Sequence, residues 1–243
     1  IKNADTYGIT VGNVSVDFKK NIKRSRDVSN RLSKGIEFLM KKNKITHISG
    51  TGKLISKTSI EVKNGRKTET VEASNIIIAT GARPRTFPGM ELDGKRVISY
   101  KEAMVLDAPP KKMIIIGSGA IGSEFAYYYN EFGTEIHMVE MMDCLLPVED
   151  ADVSKEVEKS FKKSGIKVST STKVLKIESL KTKVKVHTET NGKEAILAGD
   201  VALLAVGVTG NIENIGLEDL GLKTDRGSII INEYNQTNFQ NIY

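Results

Sequence analysis

Apolar positions along the chain change period several times, and each change marks an element. From Asn21 to about Lys44, Ile22, Val28, Leu32, Ile36, Leu39 and Met40 recur at helical spacing, predicting a long amphipathic helix. The segments ITHISGTGKL, TSIEVKN and TETVEA then predict a small β-meander with Asn64-Gly65 as a hairpin turn. NIIIATGARP follows as an apolar strand, Ile76 to Ala79, that stops on Thr80-Gly81 and is closed by Pro84. The polar, proline-containing stretch from Arg83 to Pro110 reads as a linker and domain boundary. Beyond it, Met113 to Ile116 is an apolar run, a helix-like segment follows, and IHMV is a second short strand that ends on Glu140. A helix is predicted over about Asp152 to Ser164, capped by Asp152 or Ser154 and ended by Gly165. Strand patterns return at IKVST, KVLKIESL, KVKVHTE and DVALLAVGV, with Asn191-Gly192 as another hairpin turn, and Ile229 to Ile231 is the last apolar run.

Short buried strands alternating with helices predict an α/β fold around a parallel sheet. The strand Met113–Ile116 runs into glycines spaced G-x-G-x-x-G, Gly117, Gly119 and Gly122, at the start of a helix. Gly117 permits the tight strand-to-helix turn, Gly119 lets backbone approach a pyrophosphate, and Gly122 allows close helix–strand packing. The helix N-terminus offers free N–H groups to phosphates. Glu140, at the end of the next strand, is placed to accept hydrogen bonds from an adenosine ribose. Strand, glycines, helix, strand and acid occur in order within about 30 residues, the length of one such unit. A 2′-phosphate within ~4 Å of Glu140 would meet ~4 kcal/mol of repulsion per unit charge at an effective dielectric of ~20. Met141 to Leu146 contain no Arg or Lys to offset it, so the pattern favours NAD over NADP.

Bulk properties narrow the remaining choices. At 243 residues the chain has room for more than one core, by the rule of about 100–200 residues per domain. No apolar run approaches the ~20 residues of a membrane span and no signal-peptide pattern opens the chain. The single cysteine, Cys144, excludes an intramolecular disulfide and any CxxC pair, and a reducing, cytoplasmic setting is expected. Net charge is +6, with excesses at Lys19–Arg26 and Lys41–Lys44, yet the chain has no Trp and only 6% aromatics. Basic residues without stacking partners read as a solvated helix face, so no nucleic-acid partner is expected. His47, His137 and His187 sit in strand-like segments and read as structural.

Two strands share one ending: IIIATGARP and LLAVGVTGN each deliver A-x-G at the carboxyl end, where ligand crevices form in open α/β sheets. ATGARP, GSGAIGSEFAYYY, the strand ending in Glu140 and AVGVTGNIENIGLEDLGL, in that order, resemble the pyridine nucleotide–disulfide oxidoreductases, closest to their dihydrolipoamide-oxidising branch. The resemblance covers nearly the whole chain, with GTGKL and FQNIY as fainter support. It implies a Rossmann-like NAD-binding domain, a parallel sheet with a β-meander over residues 86–208. That domain is inserted in a FAD-binding domain of the same type, represented incompletely by 1–85 and 209–243. Gly117, Ser118, Gly119, Ala120, Ile121 and Gly122 would hold the NAD pyrophosphate and Glu140 the adenine ribose. Val174 would lie against the adenosine, Gly207 near the nicotinamide, and Glu124 would reach toward nicotinamide and flavin. Gly52, Thr80, Gly81 and Ala82 would be FAD-side backbone contacts. The implied partners are a second copy of the intact enzyme and a dihydrolipoamide-bearing acyltransferase of 2-oxoacid dehydrogenase complexes. The family's C-x-x-x-x-C pair, flavin glycine motif, A-x-G-D motif and His–Glu base are not found here, and Cys144 matches no redox position. The expectation is an internal, NAD-binding portion of a flavoprotein relay with no catalytic residue of its own. A sister disulfide reductase and a stand-alone NAD-binding module are the other readings.

Overall fold

The computed structural model describes residues 4–243, and its centre is a parallel sheet whose inner strands are almost continuously buried. The long helix α1 (Phe18–Lys42) opens the chain, with the Asp17 side chain accepting the Lys20 N–H at its start. It begins three residues before the apolar spacing predicts, because that cap lies outside the periodic run. Its first turn is anchored: Phe18 meets Phe132 edge-on at 5.0 Å, and the Tyr128 hydroxyl donates to Asn21. Leu32, Ile36, Phe38 and Leu39 further along are exposed.

The predicted meander follows as β1 (Thr51–Leu54), β2 (Ser59–Asn64) and β3 (Lys67–Glu72), antiparallel in the order β1-β2-β3. Its turn lies one residue later than Asn64-Gly65: Asn64 pairs with Lys67, and Gly65-Arg66 form the loop. Gly65 takes φ +59 at the first loop position, the arrangement a Gly-X hairpin requires. The apolar strand expected from Ile76 to Ala79 is instead a single parallel bridge, Ile76 to Ile242, flanked by the Ile78 N–H donating to the Tyr243 carbonyl. Ile76 and Ile242 are buried with Leu54, Leu217 and Leu222, so this second small core joins segments from both ends of the chain.

The stretch predicted as a linker contributes structure. It contains β4 (Ala82–Pro84), β5 (Val97–Ile98) and the short helix α2 (Tyr100–Ala103), which starts in a capping box between Ser99 and Glu102. Val97 and Ile98 are buried in the main sheet. Two apolar residues are too few to show a period, which is why the polar surroundings dominate the reading of this stretch.

Next come β6 (Lys112–Ile116), α3 (Ala120–Glu131), β7 (Glu135–Val139), α4 (Ala151–Lys163) and β8 (Lys167–Ser169). Asp150, not Asp152 or Ser154, caps α4 by accepting the Asp152 N–H, while the Ser154 hydroxyl donates to the Leu145 carbonyl. A second antiparallel meander has β9 (Thr172–Ser179), β10 (Val184–Thr190) and β11 (Lys193–Gly199), in the order β11-β10-β9. Its Asn191-Gly192 loop has positive φ at both residues, +50 and +74, as the sequence predicts for a two-residue hairpin. After it, β12 (Val201–Leu204) and β13 (Val208–Gly210) lead to the one-turn helix α5 (Leu217–Leu220) and the hairpin β14 (Thr224–Asp225) and β15 (Ser228–Ile229). Only Ile229 of the last apolar run is in a strand, and Ile230 and Ile231 are about half exposed.

The main sheet has the order β5-β12-β6-β7-β8 with every pairing parallel. Met113, Ile115, Ile136, Met138 and Leu203 point to one face, where Ala126 and Tyr129 of α3 and Phe161 of α4 cover them. Ile114, Ile116, Val139, Ala202 and Leu204 point to the other, against Val174, Val184 and Val186 of the second meander. Strands buried on both faces explain the continuous apolar runs. From β6 the chain moves outward through β7 and β8, then returns to place β12 on the other side of β6. The β6–β12 junction is therefore a topological switch point, and the crevice beyond it is where a ligand is expected in such sheets.

Candidate functional site

At the carboxyl end of β6 the backbone must turn at once from strand to helix beside the end of β12. Gly117 does so at φ +96, and a Cβ there would lie 2.4 Å from the Ala205 carbonyl oxygen. A Cβ on Gly122 would lie 2.1 Å from the Gly117 carbonyl oxygen, so α3 packs directly on the turn at this residue, while Ala120 is exposed and Ile121 is half-buried. Gly119 differs from both. Its φ is −62, and a Cβ there meets nothing within 4 Å. The first and third glycines serve the fold; the second faces open space.

That space is a cavity of about 720 Å³. Gly117, Ser118, Gly119, Glu140, Val174 and Gly207, distant in sequence, all line it. Arg85, Phe87 and Met90, from the stretch predicted as a linker, form another part of its wall, as does Lys173. Arg85 is held by its backbone N–H to Gly207 and its guanidinium to the Val208 carbonyl, both at 3.0 Å. Sequence reasoning misses these residues because they reach the cavity through long-range pairing; the nearest signal is the position of ARPR directly after the A-x-G strand end.

Glu140 is buried, with 8% of its surface exposed, and its carboxylate is already engaged. Oε2 accepts the Ser118 backbone N–H and hydroxyl, each at 2.8 Å, and Oε1 accepts the Met142 N–H at 2.8 Å. An ionised carboxylate has about four acceptor positions, so one on Oε1 remains for a donor from the cavity.

The other predicted residues lie elsewhere. Glu124 is exposed and lines a separate groove between α1 and α3 with Arg26, Phe125 and Tyr128. Thr80, Gly81 and Ala82 are exposed and bound to the segment after β12: the Thr80 hydroxyl donates to the Asn211 carbonyl at 2.7 Å, and Ala82 pairs with Gly210. The two A-x-G strand ends are thus cross-linked by the β4–β13 ribbon. Arg83 tightens this crossing with a two-pronged ion pair to Glu213 at 2.9 and 2.6 Å. That pairing, helped by backbone N–H groups, pulls the Glu213 carboxyl down to about 2. Gly52 lies in β1, away from both groups, with its Cβ direction toward Ile60. Cys144 is partly buried, His137 is bonded to Ser169, and no group of His, Cys, Asp and Glu fit for a metal exists among the described residues. Burial, then the charges of Lys112 and Lys167, push the His137 imidazole below its ordinary range.

The parallel sheet, the glycine turn at its switch point and the acid ending the next strand define a Rossmann-like α/β protein. The family described as pyridine nucleotide-disulphide oxidoreductase matches residues 6–243. Dihydrolipoyl dehydrogenase from Rhizobium etli is 46% identical over 254 residues, covering 98% of this chain and 53% of that protein. The crystal structure of LpdA from Mycobacterium tuberculosis superposes with a TM-score of 0.89 at 28% identity, over 100% of this chain and 53% of that one. The Cu(II) complex of the HOCl-induced flavoprotein disulfide reductase RclA from Escherichia coli gives 0.82 at 26% identity, with 100% and 53% coverage. The chain belongs to the pyridine nucleotide–disulphide oxidoreductase family. It spans about half the length of the curated relatives it matches.

Proposed function

We propose that this chain is the NAD-binding half of an NAD-dependent dihydrolipoyl dehydrogenase, a flavoprotein that in its intact form also holds FAD. The observation that carries the reading is Gly119: its missing side chain opens onto the cavity at a helix N-terminus, where free N–H groups and the helix dipole favour a pyrophosphate. Gly119, Ala120 and Ile121 would offer their backbone to that group, Ser118 would border it with both donors held by Glu140, and Gly117 and Gly122 hold the loop in shape. The open acceptor position on Glu140 Oε1 would take a ribose hydroxyl, Val174 would bear on the adenosine, and Gly207 would border the nicotinamide end. The buried negative charge of Glu140 disfavours a 2′-phosphate, which selects NAD. Bound NAD supplies a hydride acceptor, and this chain's part is to fix its position, the source of most of the rate advantage in such a transfer.

Residues 86–208 form the NAD-binding domain in this proposal, with 1–85 and 209–243 as parts of the FAD-binding domain. Gly52 and the Thr80–Gly81–Ala82 edge belong to the FAD side. Glu124, in its groove beside α1, would act at the meeting of nicotinamide and flavin. The intact enzyme would be a homodimer serving a dihydrolipoamide-bearing acyltransferase of a 2-oxoacid dehydrogenase complex, in the cytoplasm. No helix among the described residues is long and apolar enough to cross a membrane. With one cysteine the chain cannot form a redox disulfide itself, which favours nucleotide binding without catalysis for the chain alone.

Fluorescence titration of the chain with NADH and NADPH tests the reading. NADH bound at least tenfold more tightly supports it; equal affinities, or no binding, refute it.

A further inference from the structure

We propose that Ser118 is a positioning residue that sets the Glu140 carboxylate for the adenosine ribose; the inference rests on reading the cavity as an NAD site. Ser118 lies between the first two glycines, where the glycine roles ask for nothing. It is completely buried, and both of its donors point at one oxygen of Glu140: backbone N–H and hydroxyl each lie 2.8 Å from Oε2. The residue is itself held in place. Its carbonyl accepts the Ser123 hydroxyl at 2.9 Å and the Leu146 N–H at 3.2 Å, so a hydrogen-bonded chain runs from α3 through the glycine loop to the acid.

The lone-pair count gives this chain its consequence. Two donors fill Oε2, and the Met142 N–H takes one position on Oε1. Turning the carboxylate would break the Ser118 bonds, so its open acceptor stays on one oxygen in one direction. An alanine at 118 keeps the N–H bond and removes the hydroxyl. The carboxylate then gains rotational freedom, and a ribose hydroxyl must order it on binding.

Loss of one net hydrogen bond's worth of order predicts that Ser118→Ala weakens NADH by about three- to tenfold. The probes are NADH and a reduced NAD analogue whose adenosine ribose is 2′,3′-dideoxy, each titrated by fluorescence against the 243-residue chain. The analogue cannot reach Glu140 through a hydroxyl, so Ser118→Ala should leave its affinity unchanged. In a Glu140→Gln background the Ser118→Ala effect on NADH should fall below twofold, because the positioned carboxylate is gone. Ser118→Cys, close in size but a weak donor, should behave as Ser118→Ala and decides the question should the alanine variant fail to fold.

Unchanged or tighter NADH binding in Ser118→Ala overturns the inference, since the freed acceptor would then help the ribose. Equal losses for NADH and the dideoxy analogue also overturn it, by showing that Ser118 shapes the phosphate loop and not the acid. A wild-type chain that binds the analogue as well as NADH overturns the assignment of Glu140 to the ribose, whatever the Ser118 variants do.

Discussion

Replacing Gly119 with alanine separates binding from folding. The residue sits at φ −62 and ψ −176, extended backbone open to any amino acid, and its new Cβ meets no protein atom within 4 Å. Glycine-to-alanine changes at compatible backbone stabilise proteins by about 0.4–1 kcal/mol through the unfolded chain. At about 2–4 °C per kcal/mol for a chain this size, Tm should hold or rise by about 1–4 °C. The same methyl projects into the cavity where the pyrophosphate would lie. Losing one charge-assisted hydrogen bond to that phosphate is worth about 1.5–3 kcal/mol, a weakening of about 10- to 150-fold in NADH affinity. Calorimetric titration with NADH and a thermal melt of the same preparation read both quantities. Wild-type affinity in Gly119→Ala would refute the placement of the pyrophosphate; a large fall in Tm would refute the claim that this glycine is unneeded by the fold.

The neighbouring glycines should behave in the opposite way. Gly117→Ala and Gly122→Ala place a Cβ 2.4 and 2.1 Å from carbonyl oxygens, and overpacking of this kind costs about 1–3 kcal/mol, so urea midpoints should fall in both. Glu140→Gln should narrow the NADH-over-NADPH preference by at least tenfold, read by fluorescence titration, because ~4 kcal/mol of repulsion toward a 2′-phosphate disappears. The Arg83–Glu213 pair makes stability depend on acid. The Glu213 carboxyl titrates at about 2 in the fold against an ordinary 4.5, so its contribution is complete above about pH 4.5 and is lost as pH falls toward 2. Asp93 follows the same sign: burial alone would raise it, but hydrogen bonds from Ser179, Lys95, Arg96 and Val97 hold it down to about 2. Urea melts between pH 2 and 6 should show a weaker acid dependence in Glu213→Gln than in wild type.

The glycine loop and Glu140 were legible in the sequence because their chemistry is local: a turn, a helix start and a strand end in one short span. The Asn191-Gly192 loop was legible for the same reason, both residues tolerating positive φ. Long-range features were not. Val97 and Ile98 join the sheet through β12, about a hundred residues away in the chain, and no local period marks so short a strand. Arg85, Phe87 and Met90 line the cavity beside the β4–β13 pairing, which the shared A-x-G endings do not reveal. The apolar run at Ile76 reads as a full strand, since hydrophobicity reports burial and not whether a segment forms a ladder. Glu124 has helical spacing that fixes its place on α3, yet which groove it faces depends on where α1 docks.

In the proposed function, the cavity between β6 and β12 binds the nicotinamide dinucleotide. Backbone amide chemical shifts of the chain, followed by NMR during titration with NADH, test it most directly. The largest changes should fall on Ser118, Gly119, Ala120, Met142, Val174 and Gly207. Changes centred on the groove of Asn21, Arg26, Glu124 and Tyr128, with the glycine loop unmoved, would contradict it.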